Sequence, residues 1–345
     1  MQNLASESLT RDRHSRLLRD LRISVTDRCN FRCTYCMPDD EYVWTARREI
    51  LSFEEISRVA RLSVGLGVDK IRLTGGEPLL RRDLDELVRQ LAAIEGLEDL
   101  CLTTNGSLLA DRAESLVSAG LRRLNVSLDT LDPEKFARIR RRGDLRAVLA
   151  GLFAAKAAGM GSIKLNAVIE RGVNESDILP LVEFAREHGF TMRFIEYMDV
   201  GNANHWMSAK MVPKREILET ISARHPLREA GREPESAPAV EYEFLDGGGR
   251  VGVIASVTEP FCSGCTRARL TADGHLVTCL FAERGHDLKI LLRSGATDEA
   301  IREFITDVWG RRDDRYSDER LEALQSPAGY QARERRKLEM ITLGG

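Results

Sequence analysis

Six strand-like segments alternate with helix-like segments through the first 200 residues of this 345-residue chain. The strand-like segments are 21–25, 70–74, 99–104, 123–128, 164–169 and 192–197. The helical patterns cover 53–66, 83–95, 109–119, 133–158 with a break near Gly143, and 176–188. Strands that alternate with helices are typical of a parallel sheet. Six such units are fewer than the eight that close a full barrel, so an incomplete barrel and a doubly wound sheet both fit.

The faces of these strands distinguish the two folds. Side chains alternate along a strand, so Arg22, Ser24 and Thr26 share one face of the first strand, opposite an apolar face. Strands two to five repeat this division into a largely polar and an apolar face. The residues on the largely polar faces are Lys70, Arg72 and Thr74, then Cys101, Thr103 and Asn105, then Arg123, Asn125, Ser127 and Asp129, then Lys164 and Asn166. Parallel strands covered on both faces would be nearly continuous apolar runs. The pattern therefore favours a barrel whose lumen holds a polar ligand. Only the sixth strand is ambiguous, because its two charged residues, Arg193 and Glu196, are predicted to lie on opposite faces.

The alternation breaks between about residues 200 and 240, where Gly, Asn, Pro and charged residues predict loops. A smaller region follows, with strand-like segments at 241–245 and 250–257 and helical patterns near 286–293 and 297–308. The segment 311–337 is dense in Arg, Asp and Glu and predicts a solvated face. We therefore expect an α/β fold. Residues 1–200 would form an incomplete (β/α)6 TIM-type barrel, and residues 201–345 a smaller α+β region that closes the barrel mouth.

The seven cysteines indicate metal or catalytic chemistry rather than disulfides. No apolar run approaches the ~20 residues of a bilayer span, and the first twenty residues lack the apolar stretch of a secretory signal. We therefore expect a cytoplasmic chain with reduced thiols. The net charge of −3 disfavours a nucleic-acid-binding protein. Six of the cysteines form two triplets, Cys29, Cys33 and Cys36, then Cys262, Cys265 and Cys279, whereas Cys101 is predicted to be a small buried hydrophobe.

Three closely spaced thiolates are one short of the four that usually close an iron–sulfur cube, so a cluster held in this way leaves one iron open to a small molecule. A structural zinc site is the alternative for the first triplet, but it needs a fourth ligand, and His14 is the only nearby histidine. The C-x-x-x-C-x-x-C spacing directly after the first strand resembles the radical S-adenosylmethionine (SAM) enzymes. That resemblance implies a [4Fe–4S] cluster whose open iron chelates SAM and whose electron cleaves SAM to a 5′-deoxyadenosyl radical.

The same resemblance implies that four residues bind SAM, namely Tyr35, Gly76, Ser127 and Met198. Tyr35 lies between the last two cysteines, and Gly76 lies in a Gly-Gly-Glu-Pro turn that receives the SAM amino group in this superfamily. Two glycines also let a backbone approach a ligand closely. From the residues alone, a packed aromatic role for Tyr35 and a solvated or core role for Ser127 and Met198 stay open.

The second triplet contains the sequence TRARL at 266–270 and resembles the GTP 3′,8-cyclase family of molybdenum cofactor biosynthesis. The resemblance extends over nearly the whole chain, to the terminal Gly344-Gly345. It implies a second [4Fe–4S] cluster that binds guanine, and a diglycine tail that reaches the active site, although an unstructured terminus is the commoner fate of a chain end. The radical would abstract the ribose 3′-hydrogen of GTP, and C3′ would attack C8 to give 3′,8-cyclo-7,8-dihydroguanosine triphosphate. The substrate-binding residues implied are Arg22, Arg72, Thr103, Lys164, Arg267, Ala268 and Arg269, with Arg267 and Arg269 also catalytic.

The family also implies partners, namely an external electron donor, a second copy of the chain in a homodimer, and a cyclic pyranopterin monophosphate synthase that receives the product. Independently of the family, several lumen-facing cations, Arg22, Arg72 and Lys164, would be costly to bury without an anion. A triphosphate would supply that anion, and internal pairs with Glu77, Asp129 or Glu196 are the alternative. The chain has no G-x-x-x-x-G-K-[ST] loop, so a nucleotide would be held differently from that of a P-loop ATPase.

Two other functions fit parts of this pattern. A radical SAM peptide maturase with an auxiliary cluster would share both triplets, but only Cys101 is spare and the loops are short. A zinc-stabilised nucleic-acid-binding or protein-binding module would explain the cysteines, but neither the near-neutral charge nor the polar strand faces favour it.

Overall fold

The computed structural model describes residues 9–39, 41–202, 204, 206–326, 330 and 337–344. The strands within this part of the chain, β1 to β12, are Asp20–Ser24, Lys70–Thr74, Asp99–Thr104, Arg123–Ser127, Ser162–Ile169, Thr191–Glu196, Leu227–Gly231, Val240–Phe244, Arg250–Ile254, Arg267–Leu270, His275–Val277 and His286–Asp287. The α-helices, α1 to α11, are Phe53–Val64, Leu84–Ala92, Ala113–Ser118, Pro133–Arg140, Leu145–Ala157, Ile178–His188, Lys214–Ser222, Lys289–Arg293, Asp298–Gly310, Tyr316–Gln325 and Met340–Leu343. None of these helices has the length and apolar character that crossing a membrane requires.

All twelve strands belong to one sheet, in the order β12-β11-β10-β1-β2-β3-β4-β5-β6-β9-β8-β7. Strands β1 to β6 are parallel neighbours in chain order, as the alternation predicts. The later part of the chain extends this sheet, because β10 pairs in parallel with β1, and β9 pairs in parallel with β6. The polar faces of these strands line one cavity, so the predicted partial TIM-type barrel with a polar lumen is confirmed.

Local sequence explains where the helices begin. Ser52 caps α1 by accepting from the Glu55 amide, and the Glu55 carboxylate accepts from the Ser52 amide in return. Asp132 caps α4 and is followed by Pro133, a residue favoured in the first helical turn. The helices cover the apolar strand faces, where Leu21, Ile23 and their counterparts are fully buried. Residues alternate strictly between buried and partly exposed along β5, as expected for a sheet that has one dry and one wet face.

Two predictions about the second half of the chain are wrong, and one strand there was not predicted. The stretch near 200–240 contains α7 and β7 in addition to loops. The sequence analysis did not predict β10, although it completes the eight adjacent parallel strands. The segment 311–337 is not simply a solvated face, because Arg312 and Arg320 are buried. Each of these guanidiniums has a buried carboxylate partner far away in the sequence, Asp12 for Arg312 and Asp199 for Arg320, and pairing removes the main penalty for burying a charge.

Candidate active site

Both cysteine triplets line the same cavity, which lies on the polar face of the sheet. The strands contribute polar side chains to its wall, namely Arg22 from β1, Arg72 and Thr74 from β2, Thr103 from β3, Ser127 from β4, Asn166 from β5, Arg193 from β6, and Arg267 and Arg269 from β10. Residues from both the barrel and the later region therefore enclose one chamber. A reaction that uses one cluster at each triplet requires both triplets to lie in the same chamber, as they do here.

The first triplet lies on a loop that follows β1. The loop is tied to the end of α4, because the amides of Arg32 and Thr34 donate to the carbonyls of Arg140 and Ile139 at 2.9 and 3.0 Å. Cys33 is buried, and Cys29 and Cys36 are partly buried. The amide of Phe31 donates to the Cys29 Sγ at 3.4 Å. The loop therefore directs its three thiols to one side without forming a disulfide.

The second triplet comes from two segments, with Cys262 and Cys265 before β10 and Cys279 after β11. The Cys265 amide donates to the Cys262 carbonyl at 3.1 Å, which closes a tight turn between the two cysteines. The amide of Phe281 donates to the Cys279 Sγ at 3.5 Å. Both triplets thus contain a cysteine whose sulfur accepts from the amide two residues later.

The donor sets fit iron–sulfur clusters better than single metal ions. Within the described ranges, no three Cys, His, Asp or Glu side chains converge closely enough to hold one ion. A structural zinc site needs four ligands around one ion, whereas a cube is ligated by thiolates spread over its corners and is tuned by hydrogen bonds to sulfur. His14, the histidine that the zinc alternative considered, pairs with Asp313 at 2.7 Å. Among the described side chains, neither triplet is therefore completed to a four-ligand zinc site.

The thiols differ in their acidity. Burial raises the pKa of Cys29 and of Cys279 to about 12. Although burial acts in the same sense on Cys265, the nearby Arg267 and Arg312 guanidiniums lower the pKa of its thiol to about 6. Metal ligation requires thiolates, so metal binding at Cys29 and at Cys279 is coupled to proton release.

The residues that the sequence implies for SAM all line the cavity, namely Tyr35, Gly76, Ser127 and Met198. The Tyr35 hydroxyl donates to Asp129 at 2.9 Å, and the Ser256 hydroxyl donates to the Met198 sulfur at 3.3 Å. The Gly-Gly turn packs against the backbone that leads into the first triplet. The Gly76 amide donates to the Thr26 carbonyl at 2.8 Å, and a Cβ on Gly76 would lie 2.3 Å from the Arg28 carbonyl oxygen.

This contact gives a direct prediction for Gly76→Ala. No room exists for the added methyl group, and the clashing atoms are backbone, so the chain at Asp27 and Arg28, which follows β1, must move. We expect the displacement to reach Cys29 and to lower both iron content and SAM affinity, the latter by roughly tenfold or more. Iron analysis and SAM titration measure these effects. Gly65→Ala is the control, because Gly65 has a right-handed φ of −62° and a Cβ there would meet its nearest neighbour, the Leu62 carbonyl oxygen, at 3.4 Å. Unchanged SAM affinity in Gly76→Ala would contradict the prediction.

The cavity wall has a concentration of positive charge. Arg269, Arg22 and Arg72 occupy the same register on adjacent strands β10, β1 and β2. The buried Nε atoms of these residues and of Arg193 have no hydrogen-bond partner. Burial, together with Arg72 and Arg269, lowers the pKa of Arg22 well below its usual value. Burial and the neighbouring Arg267 lower the pKa of Arg269 to about 10. An anionic ligand would relieve this mutual repulsion.

The three carboxylates that the sequence analysis considered as partners of these cations are bound elsewhere. Glu77 accepts from Thr104, Asn105 and Leu79, and burial raises its pKa to about 7. Glu196 accepts from the amides of Lys214, Val257 and Thr258. Asp129 pairs with Arg140 at 2.8 Å. Internal pairs with Glu77, Asp129 or Glu196 are therefore not supported. Although burial opposes the effect, Arg22 and Arg72 lower the pKa of the buried Asp20 carboxyl, so Asp20 offsets part of the charge of the arginine row.

Two of the predicted substrate residues do not line the main cavity. Ala268 is buried on the apolar side, in register with Leu21. Lys164 lies near the start of β5 and pairs with Glu241 at 3.5 Å. Arg193, which the sequence analysis left unassigned, lines the cavity and also pairs with Glu241. Arg193 pairs in register with Asn166 of β5, so both side chains point to the same face of the sheet. The register between β5 and β6 is therefore the information that the sequence analysis lacked. Cys101 is buried and free, as predicted.

The last described residues return to the barrel. Met340 and Ile341 line the cavity, and Gly344 lies against the ends of β1 and β2. A Cβ on Gly344 would lie 2.2 Å from the Thr74 Cγ2 and 3.0 Å from the Ser24 Oγ, so only glycine fits there. The segment is anchored at Lys337, whose ammonium group donates to Asp199. The other glycine of the predicted tail, Gly345, lies outside the described residues.

Comparison with known proteins agrees with this geometry. Residues 23–185 match the Radical SAM superfamily model, and residues 190–318 match the Molybdenum Cofactor Synthesis C model. The chain is 54% identical over 325 residues to the GTP 3′,8-cyclase of Acidothermus cellulolyticus, covering 92% of this chain and 89% of that protein. It is 47% identical to the GTP 3′,8-cyclase of Xanthomonas axonopodis pv. citri, with 97% of this chain and 98% of that protein covered.

Among solved structures, Streptococcus suis SuiB bound to S-adenosylmethionine has a TM-score of 0.58 at 17% identity, covering 90% of this chain and 69% of SuiB. That likeness concerns the fold alone and agrees with the partial barrel. Identity to the curated relatives is much higher and extends over nearly their full length. The chain therefore belongs to the GTP 3′,8-cyclase family of the radical SAM superfamily.

Proposed function

We propose that this chain converts GTP into 3′,8-cyclo-7,8-dihydroguanosine 5′-triphosphate, the first step of molybdenum cofactor biosynthesis, with SAM and two [4Fe–4S] clusters. The observation that carries the proposal is the single chamber onto which both cysteine triplets and a row of unpaired arginines open. The curated relatives are named for this activity, so the peptide-maturase alternative is not retained.

We assign the first cluster to Cys29, Cys33 and Cys36, and SAM to Tyr35, Gly76, Ser127 and Met198. When bound, the cluster and SAM supply reductive cleavage of SAM and thereby a 5′-deoxyadenosyl radical. Asp129 holds Tyr35 through its hydroxyl, and the Gly-Gly turn fixes the path of the chain into Cys29. These contacts set the position of SAM before any substrate arrives.

We assign the second cluster to Cys262, Cys265 and Cys279, close to where guanine would lie. Arg22, Arg72 and Arg269 form a row that can neutralise a triphosphate, because guanidinium groups match phosphate oxygens in geometry and charge. Thr103, Arg193 and Arg267, which line the same chamber, complete the proposed substrate site. Lys164 and the Ala268 backbone remain in the proposal, although neither lines the chamber in the absence of substrate. Arg267 and Arg269 also lie beside the second triplet, where they can stabilise negative charge that develops on the purine.

Several finer expectations belong to the same proposal. The electron comes from an external donor, the product passes to a cyclic pyranopterin monophosphate synthase, and the chain acts as a homodimer in the cytoplasm. The division into a barrel of residues 1–200 and a region of residues 201–345 places one triplet in each part. The two parts share the chamber, so we expect neither to be active alone.

Anaerobic purification and product analysis test the function. Two cubes predict about eight irons per chain. Reduced enzyme with SAM and GTP should yield 5′-deoxyadenosine and one cyclic nucleotide product, and both should depend on GTP. Cleavage of SAM with ATP but not with GTP would refute the assignment of GTP as the substrate. Zinc in place of iron would refute the assignment of iron–sulfur clusters.

Lys164 gives a pH-dependent prediction for substrate binding. Burial and the nearby Arg193 lower the pKa of Lys164 to about 8, so its ammonium group is charged at pH 7 and neutral at pH 9. We expect GTP affinity to fall as the pH rises through this range. Lys164→Gln should weaken binding roughly tenfold at pH 7 and remove the pH effect, whereas Lys164→Arg should keep binding at both pH values.

Calorimetric titration with GTP in the absence of SAM measures these affinities. Lys156→Gln is the control, because it removes the same charge from an exposed position on α5. Equal affinities for Lys164→Gln and the wild-type chain would exclude Lys164 from the phosphate site.

A further inference from the structure

Each triplet contains one thiol that accepts a hydrogen bond from a buried arginine. Arg140 donates from Nη1 to the Cys33 Sγ at 3.0 Å, and Arg312 donates from Nη2 to the Cys265 Sγ at 3.1 Å. Both guanidiniums are almost fully buried, with side-chain exposures of 3% and 2%. A buried cation is costly, so its placement against a sulfur atom at both triplets needs an explanation.

Arg140 is fixed by groups on three sides. It ends α4, and the carboxylate of Asp129 lies 2.8 Å from its Nη2. Its guanidinium also lies over the rings of Phe31 and Tyr35, at 5.9 and 5.6 Å from their centres. The carbonyl of Arg140 accepts from the Arg32 amide in the cysteine loop. The residue therefore joins α4 to the first triplet through both its backbone and its side chain.

Arg312 is fixed by a carboxylate from the opposite end of the sequence. Asp12, which is fully buried, lies 3.2 Å from the Arg312 Nη1 and also pairs with Arg16 at 2.5 Å. Arg312 donates to the Cys265 carbonyl at 2.8 Å, and Arg16 donates to the Cys262 carbonyl at 2.8 Å. One aspartate thus orients two arginines that hold both cysteines of the 262–265 turn.

We infer that Arg140 and Arg312 are positioning residues, each of which holds one ligating cysteine and raises the reduction potential of its own cluster. The inference rests on the proposed presence of two clusters. One-electron reduction adds negative charge to a cluster, and a buried cation that donates a hydrogen bond to a ligating sulfur favours the reduced form. Asp129 and Asp12 serve to hold the two guanidiniums in place.

The paired arrangement provides its own controls. Arg140→Met and Arg312→Met remove the charge and the hydrogen bond at one triplet each. Arg138→Met and Arg311→Met remove the same charge from exposed positions close by in the sequence. Arg140→Lys and Arg312→Lys keep the charge but lose the planar fork.

The test is a dithionite titration of the full holoenzyme under anaerobic conditions, followed by electron paramagnetic resonance and iron analysis. The signal that responds to SAM reports the first cluster, and the signal that responds to GTP reports the second. We expect Arg140→Met to lower the equilibrium constant for one-electron reduction of the first cluster roughly tenfold, which is a fall of about 59 mV in its reduction potential, and to leave the second cluster unchanged. Arg312→Met should have the same effect on the second cluster alone. The lysine variants should recover part of the shift, and the exposed-site variants should show none.

Loss of about four irons, confined to the cluster beside the mutated arginine, would also support the inference, because the other cluster then reports an intact fold. Potentials that stay unchanged, or that move equally for both clusters, would overturn it. A wild-type chain with a single cluster signal would instead refute the proposed cofactor content. The failures of the two proposals are therefore distinguishable.

Discussion

Cys33→Ala should abolish SAM cleavage, with or without GTP. Cys33 is the most buried thiol of the first triplet, and the triplet has no spare ligand among the described residues. The loss of one thiolate leaves two, which cannot hold the cube that binds SAM. We expect 5′-deoxyadenosine to fall to background and the iron content to fall from about eight to about four per chain.

Chromatographic measurement of 5′-deoxyadenosine and iron analysis under oxygen-free conditions provide the readouts. Cys101→Ala is the matched control, because Cys101 is equally buried and free but does not line the chamber. It should retain both clusters and full activity. SAM cleavage by Cys33→Ala at a substantial fraction of the wild-type rate would contradict the assignment of the first triplet.

Cys265→Ala should separate SAM cleavage from cyclisation. The first triplet, Tyr35 and Gly76 are untouched by this change, so the chain should still bind and cleave SAM. The second cluster and the local position of Arg267 depend on the 262–265 turn, so productive binding of guanine should be lost. We expect formation of the cyclic product to fall roughly 100-fold or more while uncoupled 5′-deoxyadenosine persists.

The ratio of cyclic product to 5′-deoxyadenosine measures this separation. Ser263→Ala is the control, because it changes the same turn at an exposed position without removing a ligand. A Cys265→Ala chain that keeps the wild-type ratio would show that the second triplet is not part of the catalytic site.

The barrel was predictable because its signals are local. The boundaries of β2 and β3 match the predicted ranges, and those of β1, β4 and β6 differ by one residue at each affected end. Period-two alternation identified the wet face, and the cysteine spacing identified the first triplet. The polar lumen followed from the alternation, whereas the juxtaposition of the two triplets was implied by the family resemblance.

Features that depend on distant pairing were not predictable in the same way. β10 has four residues and is defined by its pairing with β1, nearly 250 positions earlier. Arg312 looks like one member of a solvated charge run until Asp12 is placed beside it. The orientation of Arg193 depends on the register between β5 and β6. In each case the partner, and not the local sequence, decides whether the residue is buried.

Transfer of hydrogen from the substrate tests the central claim most directly. The reduced enzyme should be incubated anaerobically with SAM and GTP deuterated at the ribose 3′ position, and the products analysed by mass spectrometry. We expect the deuterium to appear in 5′-deoxyadenosine, in proportion to a cyclic triphosphate product that has lost it. Unlabelled 5′-deoxyadenosine formed alongside unchanged GTP would contradict the claim that the two triplets serve one reaction on this nucleotide.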